Sequence, residues 1–263
     1  MVIDFHAHIY PDGIAKKAIH NTEEFYKIPV RETGTVSNLL ENSREKGGAI
    51  DSFVVFSPAA VPAQVRNINN FIAAVSREHE ELTGFGTLHP ELQNPENEIE
   101  HIMETGLRGV KFHPDMQRFN IDDERMSGVY DLLSKRLPVI FHTGDYRYSF
   151  SHPGRLAKVL DNFPGLIAVA AHFGGWSLFD LALEYLEDRF CYFDISSSLP
   201  YLGKKRAEEL IRIYGAERFL FGSDYPMWNP GSCLDDFLQL GLTDRERELI
   251  LYKNAHTILG KST

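Results

Sequence analysis

The sequence predicts a (β/α)8 barrel. Eight short β-rich runs recur along the chain, stretches with helical spacing separate them, and 263 residues is close to the roughly 250 that one such barrel takes. Strands that alternate with helices must be parallel and joined by crossovers. A doubly wound open sheet shares that alternation and is the structural rival. No Pro/Gly/Ser tract interrupts the pattern, so residues 1–263 are read as one domain.

The strands are read at residues 2–6, 52–56, 83–88, 109–113, 138–142, 167–172, 191–196 and 219–224. Most are continuous apolar runs such as SFVVF and PVIFH, as expected of strands covered on both faces. The first helix is read over 35–46, opened by Thr35 as a cap and stopped at Gly47–Gly48. Residues 63–81 place Val65, Ile68, Ile72 and Val75 at helical intervals. Further helices are read at 96–105, 122–136, 154–162, 175–188 and 203–214. The closing helix, 243–260, begins with Thr243 three residues before Glu246, a capping-box arrangement. Residues 9–34 are read as irregular, and a loop that long in a compact domain is often a lid or part of a site.

Composition narrows the function. An apolar share of 43% with 24% charged residues is that of a water-soluble globular chain. The formal net charge of −10, with no basic cluster, argues against nucleic acid or an anionic membrane as the main partner. No stretch approaches the 18 apolar residues of a membrane span, and the N-terminus lacks a basic segment followed by a long apolar one. Cys191 and Cys233 make neither a disulfide framework nor a C-x-x-C motif and are read as reduced thiols. A cytoplasmic enzyme acting on a small molecule is expected; apolar outer helices permit a homodimer.

In a barrel enzyme the chemistry stands at the C-terminal ends of the strands. Strand one ends in His6 and His8, strand four in Lys111 and His113, strand five in His142, strand six in His172 and strand eight in Asp224. Residues two apart on a strand share a face and lie roughly 6.6 Å apart along it. Two imidazoles at that spacing can lean together onto one ion, at Zn–N distances of about 2.0–2.1 Å. A lone H-x-H would more often be two hydrogen-bonded strand residues. Recurrence of histidines at other strand ends, with Asp224 closing the set, favours a metal site. Pro226 argues against Asp224 as a helix cap, and a carboxylate beside a cation can take a proton from water. His142 is read as a ligand, with Gly144 turning the chain away behind it. For His172, ligation and catalysis compete.

Weaker readings concern substrate contacts. Lys111, His113 and Arg147 stand where a substrate carboxylate would be met, against ordinary structural roles. Tyr10, Phe25 and Tyr26 could cap a pocket, although packing explains them as well; Trp176 and Trp228 could wall it. The glycines of HFGGW fit either an anion site at a helix start or close strand–helix packing. His89 and His152 precede prolines and are read as turn residues, while His20, His79, His101 and His256 carry no site role.

The blocks DFHAH, GVKFHP, VIFHTG, AHFGG, FGSDYP and NAHTILG occur in order between residues 3 and 260. Together they resemble the amidohydrolase superfamily, in particular the amidohydrolase-related branch that includes aminocarboxymuconate-semialdehyde decarboxylase. The resemblance implies a distorted barrel holding a divalent metal, usually zinc, with Mn2+ or Fe2+ as alternatives. It implies His6, His8 and His142 as ligands, Asp224 as a ligand or near-ligand that also handles the proton, and His172 near the activated water or the substrate. Binuclear members bridge two metals with a carboxylated lysine or a glutamate near the end of strand four. Lys111 stands near that place, but pairing with His113 favours substrate contact and one metal. The expected activity is hydrolysis of an amide, lactone or ester of a small molecule by metal-activated water. The alternative is a non-oxidative decarboxylase, a carbon–carbon lyase on the same scaffold; members with that activity tend to be longer. A barrel that merely stores a metal is a third reading, disfavoured by five ionisable groups at strand ends.

Overall fold

The computed structural model describes residues 1–43 and 50–260. Eight parallel strands run in sequence order: β1 Ile3–His8, β2 Ser52–Phe56, β3 Leu82–Gly84, β4 Val110–Phe112, β5 Val139–Phe141, β6 Ala168–Ala170, β7 Tyr192–Asp194 and β8 Phe219–Leu220. Ladders join β1 to β3 and β4 to β8. Two seams close them into a barrel. Gly86 N donates to Gly109 O and Lys111 N to Gly86 O between β3 and β4, and Phe5 N donates to Phe221 O between β8 and β1. An open sheet would leave those edges unpaired, so the fold is the expected (β/α)8 barrel.

Alternation within each strand sorts the core. Phe5, Val54, Phe56, Ile140, Val169 and Leu220 form an inner cluster, closed below by Ala255, Ile258 and Leu259 of the last helix. Their strand neighbours, among them Phe53, Val55, Val139, Phe141 and Phe193, face the surrounding helices in the larger outer cluster. Both faces are buried, which is why the strands read as apolar runs.

The caps at Thr35 and Thr243 form as the sequence indicates, with Thr35 Oγ1 accepting from Asn38 N and a reciprocal box between Thr243 and Glu246. The expected stop at Gly47–Gly48 lies outside the described residues. The expected irregular stretch after β1 is corrected: it contains helix α1, Asp12–Tyr26, followed by α2, Val36–Asn42. Helix α1 has no side-chain N-cap and ends on Lys27 in the left-handed region rather than on glycine, so neither boundary signal exists. A helix at Pro230–Leu238 also goes beyond the sequence reading, and the closing segment passes through a π turn at Leu249–Lys253. Helix α3, Val65–Glu78, follows β2.

Candidate metal centre and active site

The C-terminal ends of the strands meet at one mouth. His6 and His8, two apart on β1, point to the same side, and Asp224 comes from the loop after β8. His6 Nε2 lies 3.3 Å from His8 Nε2 and 3.3 Å from Asp224 Oδ1, and His8 Nε2 lies 3.5 Å from the same oxygen. Two imidazole nitrogens and a carboxylate oxygen thus form a nearly equilateral triangle. Lys111 reaches up from β4 and puts Nζ 3.2 Å from His6 Nε2.

The hydrogen bonds behind the triangle decide which nitrogens carry lone pairs. Asp194, at the end of β7, accepts from His6 Nδ1 at 2.8 Å through Oδ2. Its Oδ1 accepts from His172 N at 3.0 Å and Ser196 N at 3.1 Å. His6 therefore carries its proton on Nδ1 and turns the Nε2 lone pair into the site, as carboxylates behind metal-ligating histidines do. Burial pushes the Asp194 carboxyl upward, but the His6 ring and these N–H donors outweigh it and hold it well below the usual carboxylate range.

His172 Nδ1 faces Ser196 O at 3.1 Å, and a carbonyl can only accept. The proton is on Nδ1, so Nε2 is an acceptor and takes its hydrogen bond from His142 Nδ1 at 3.0 Å. His142 Nε2 is then a buried lone pair without a hydrogen-bond partner, 3.5 Å from Asp115 Oδ2. Burial lowers the pKa of His8, His113 and His142 well below the ordinary value and that of His172 to about 4. These rings are neutral, as metal binding requires. Burial also brings Lys111 down to about 8, so its amine is accessible in neutral form near neutrality.

Not every expected residue joins the triangle. His142 approaches it through His172, whose ring nitrogen lies within 4.8 Å of donor atoms of His6 and Asp224. His113 stacks on His142 with centroids 4.0 Å apart, and its Nε2 lies 2.6 Å from Tyr26 Oη. Arg147 stands apart, with Nε and Nη2 on Asp145 and Nη1 donating to Phe25 O at 2.5 Å. It clamps the end of α1 instead of offering a free guanidinium. His89 Nδ1 and His152 Nδ1 accept from the N–H groups of Glu91 and Gly154, as turn residues do. Asp194, Ser196 and Asp115 were missed in the sequence; only Asp194 carried a signal, an acid inside the apolar run CYFDIS.

The loops that deliver these groups are backbone-strained. His172, Ser197 and Asp224 have φ of 59°, 51° and 62°, a region costly for residues other than glycine and concentrated at functional sites. Gly144, at φ 78°, sits where a Cβ would meet the backbone of Gly175 at 2.5 Å. Gly175 itself packs against Leu178 O and Ala182 Cβ, so close packing accounts for the glycine of HFGGW. Asp224 Oδ2 accepts from Ser197 Oγ at 2.5 Å, and Trp228 Nε1 donates to the same hydroxyl at 2.9 Å. That leaves Oδ1 as the oxygen turned to the histidines.

A family model described as Amidohydrolase matches residues 3–261, and the chain belongs to that family. Among curated proteins, none matches. Solved structures resemble it over nearly the whole chain. An uncharacterized TIM-barrel protein from Bordetella bronchiseptica is 19% identical, with 98% of each chain covered and a TM-score of 0.76. A dihydroxybenzoic acid decarboxylase from Polaromonas sp., solved with bound manganese and an inhibitor, is 16% identical, covers 98% of this chain and 96% of its own, and has a TM-score of 0.74. A putative 2-pyrone-4,6-dicarboxylic acid hydrolase from Pseudomonas putida is 19% identical, covers 98% and 97%, and has a TM-score of 0.70.

The superfamily is metal-dependent, and the residues present fit a cation. Donors placed tetrahedrally at about 2.0–2.1 Å from one ion stand about 3.3–3.4 Å apart, which is the spacing of the triangle. Lone pairs of His6 Nε2 and Asp224 Oδ1 face each other in this buried site, with Lys111 Nζ 3.2 Å from His6 Nε2 as the adjacent basic group. Among the described residues no helix is long and apolar enough to cross a membrane.

Proposed function

We propose that the protein is a metal-dependent hydrolase of the amide, lactone or ester bond of a small molecule. The His6–His8–Asp224 triangle, oriented from behind by Asp194, carries this reading. His6, His8 and Asp224 hold one divalent cation, with His142 as the adjoining neutral imidazole. Two nitrogen ligands and one oxygen ligand suit zinc, and manganese or iron are the alternatives. When bound, such a cation supplies Lewis acidity and lowers the pKa of water from 15.7 to about 7.

The chain's own groups do the rest. Ser197 pins Asp224 Oδ2, so Oδ1 accepts the proton released as water adds to the substrate carbonyl and returns it to the leaving group. His172 is neutral with its proton committed to Ser196 O, so it orients His142 and does not donate to the developing oxyanion. Proton handling of this kind contributes about 10²–10⁴ in rate. The cavities over the site are lined by Tyr26, His142, His172, Trp176 and Met227 and, among the described residues, by no lysine or arginine. Lys111, buried beside His6, is a basic side chain near the reacting end and does not line these cavities; the proposed reacting group is an uncharged carbonyl.

The decarboxylase reading draws on Lys111, whose buried amine beside His6 could meet a substrate carboxylate. Assaying lactone, ester and amide hydrolysis against carbon dioxide release, with and without chelator, separates the two. Chelator-sensitive hydrolysis supports the proposal; chelator-sensitive carbon dioxide release without hydrolysis replaces it with the lyase. The working setting proposed is a small-molecule substrate in the cytoplasm.

A further inference from the structure

The cavities directly over the site have volumes of about 30 Å³ and 10 Å³. A water molecule occupies about 30 Å³ of liquid, so the body of a substrate must extend elsewhere. A cavity of about 630 Å³ opens beside them, within the usual range for small-molecule sites. It lies at the same end of the barrel, between α1, the start of α3 and the segments after β2 and β4. Four residues, Tyr10, Thr22, Pro58 and Met116, line both this groove and the cavity that holds His8 and Asp224. A second large cavity, of about 620 Å³, shares only Ser197 and Trp228 with the site.

The groove's walls are largely apolar; the polar Asn21, Gln64 and Asn67 and the buried carboxyl of Asp115, which accepts from Ser151 Oγ, also line it. Ile14, Ala18, Phe25, Ala63, Ile68 and Phe71 give it apolar walls. Lys17 and Arg118 are the basic residues of its lining. Both are exposed, and among the described residues neither side chain forms an ion pair. Both therefore remain available to a negative charge.

We propose that this groove binds the apolar body of the substrate, and that the substrate class is a medium-chain acyl or aryl compound with an anionic group at the end remote from the scissile bond. The inference rests on the hydrolase reading for the reacting end and adds what lies beyond it. The neutral carbonyl sits under Tyr26, the apolar portion runs past Tyr10 and Met116, and the anion reaches Lys17 and Arg118.

Direct binding tests this without requiring turnover. Anilinonaphthalene sulfonate, an apolar body carrying one anion, serves as the fluorescent probe on the full chain, and octanoate and acetate serve as competitors. Octanoate displaces the probe and acetate does not. Ala63→Trp, which fills the groove from an exposed position, weakens probe binding about tenfold or more. The double change Lys17→Glu with Arg118→Glu weakens it about fivefold or more. Ser232→Trp, in the polar cavity beyond Ser197, leaves it unchanged. Circular dichroism confirms that each variant is folded. Equal binding to Ala63→Trp and the parent, or a loss only in Ser232→Trp, overturns the proposal. So does a concentration-dependent dimer that Ala63→Trp abolishes, because the groove would then be covered by a second copy. Groove-dependent probe binding without any hydrolytic activity would remove the hydrolase reading and leave the groove assignment standing.

Discussion

Replacing Asp194 by asparagine tests how the site controls its own lone pairs. Asp194 Oδ1 accepts from the backbone N–H groups of His172 and Ser196, so the asparagine must keep its oxygen there. Its NH2 is then forced into the place of Oδ2, 2.8 Å from His6 Nδ1. An NH2 can only donate, so His6 must move its proton from Nδ1 to Nε2. The nitrogen facing His8 and Asp224 becomes a donor and cannot ligate. Loss of an outer partner of this kind costs about 10–100-fold in metal affinity, or about 1.4–2.7 kcal/mol. The assay is chelator competition with zinc or manganese on parent and Asp194→Asn protein, with thermal unfolding as a control for fold. An unchanged dissociation constant in a folded variant would refute the tautomer argument.

Other perturbations have outcomes set by the same geometry. Asp4 is fully buried with Oδ2 unpartnered, and burial raises its pKa from 3.8 to about 6. The folded state therefore holds that proton more tightly than the unfolded chain. Stability falls as pH rises from about 4 through about 6, by about 3 kcal/mol from this group. Urea unfolding against pH should show this component in the parent and its absence in Asp4→Asn. Arg147→Ala removes the clamp on Phe25 O, and hydrogen exchange and proteolysis across residues 12–26 should rise while the barrel strands stay protected; unchanged protection would contradict the clamp. Gly144→Ala places a Cβ 2.5 Å from the Gly175 backbone at a φ that alanine disfavours. A loss of about 3 kcal/mol or more is expected, read as a fall in midpoint denaturant.

The barrel was legible because both of its core layers leave apolar runs in the sequence, and because strand ends that carry histidine are rare in ordinary cores. His6, His8 and Asp224 could be seen for that reason. Asp194 left only one mark, an acid inside the apolar run CYFDIS, and its role could not be read from it, since that role depends on His6, a residue 188 positions away. Helix α1 was missed because only Ala15 of it is buried, so packing imposes little apolar periodicity. Arg147 reads as a free cation in sequence although its ion-pair partner, Asp145, is only two residues away; its second contact, Phe25 O, belongs to a helix the sequence does not announce. Which ring nitrogen of His142 and of His172 carries a proton follows only from Ser196 O, a backbone atom without a sequence signature.

Anomalous diffraction from crystals of the metal-loaded protein, collected at the edge of the bound element, measures the central claim most directly. One peak bounded by His6 Nε2, His8 Nε2 and Asp224 Oδ1 is the predicted result. A peak among His113, Asp115 and His142 with none at the triangle, or no peak from protein loaded with excess metal, would contradict it.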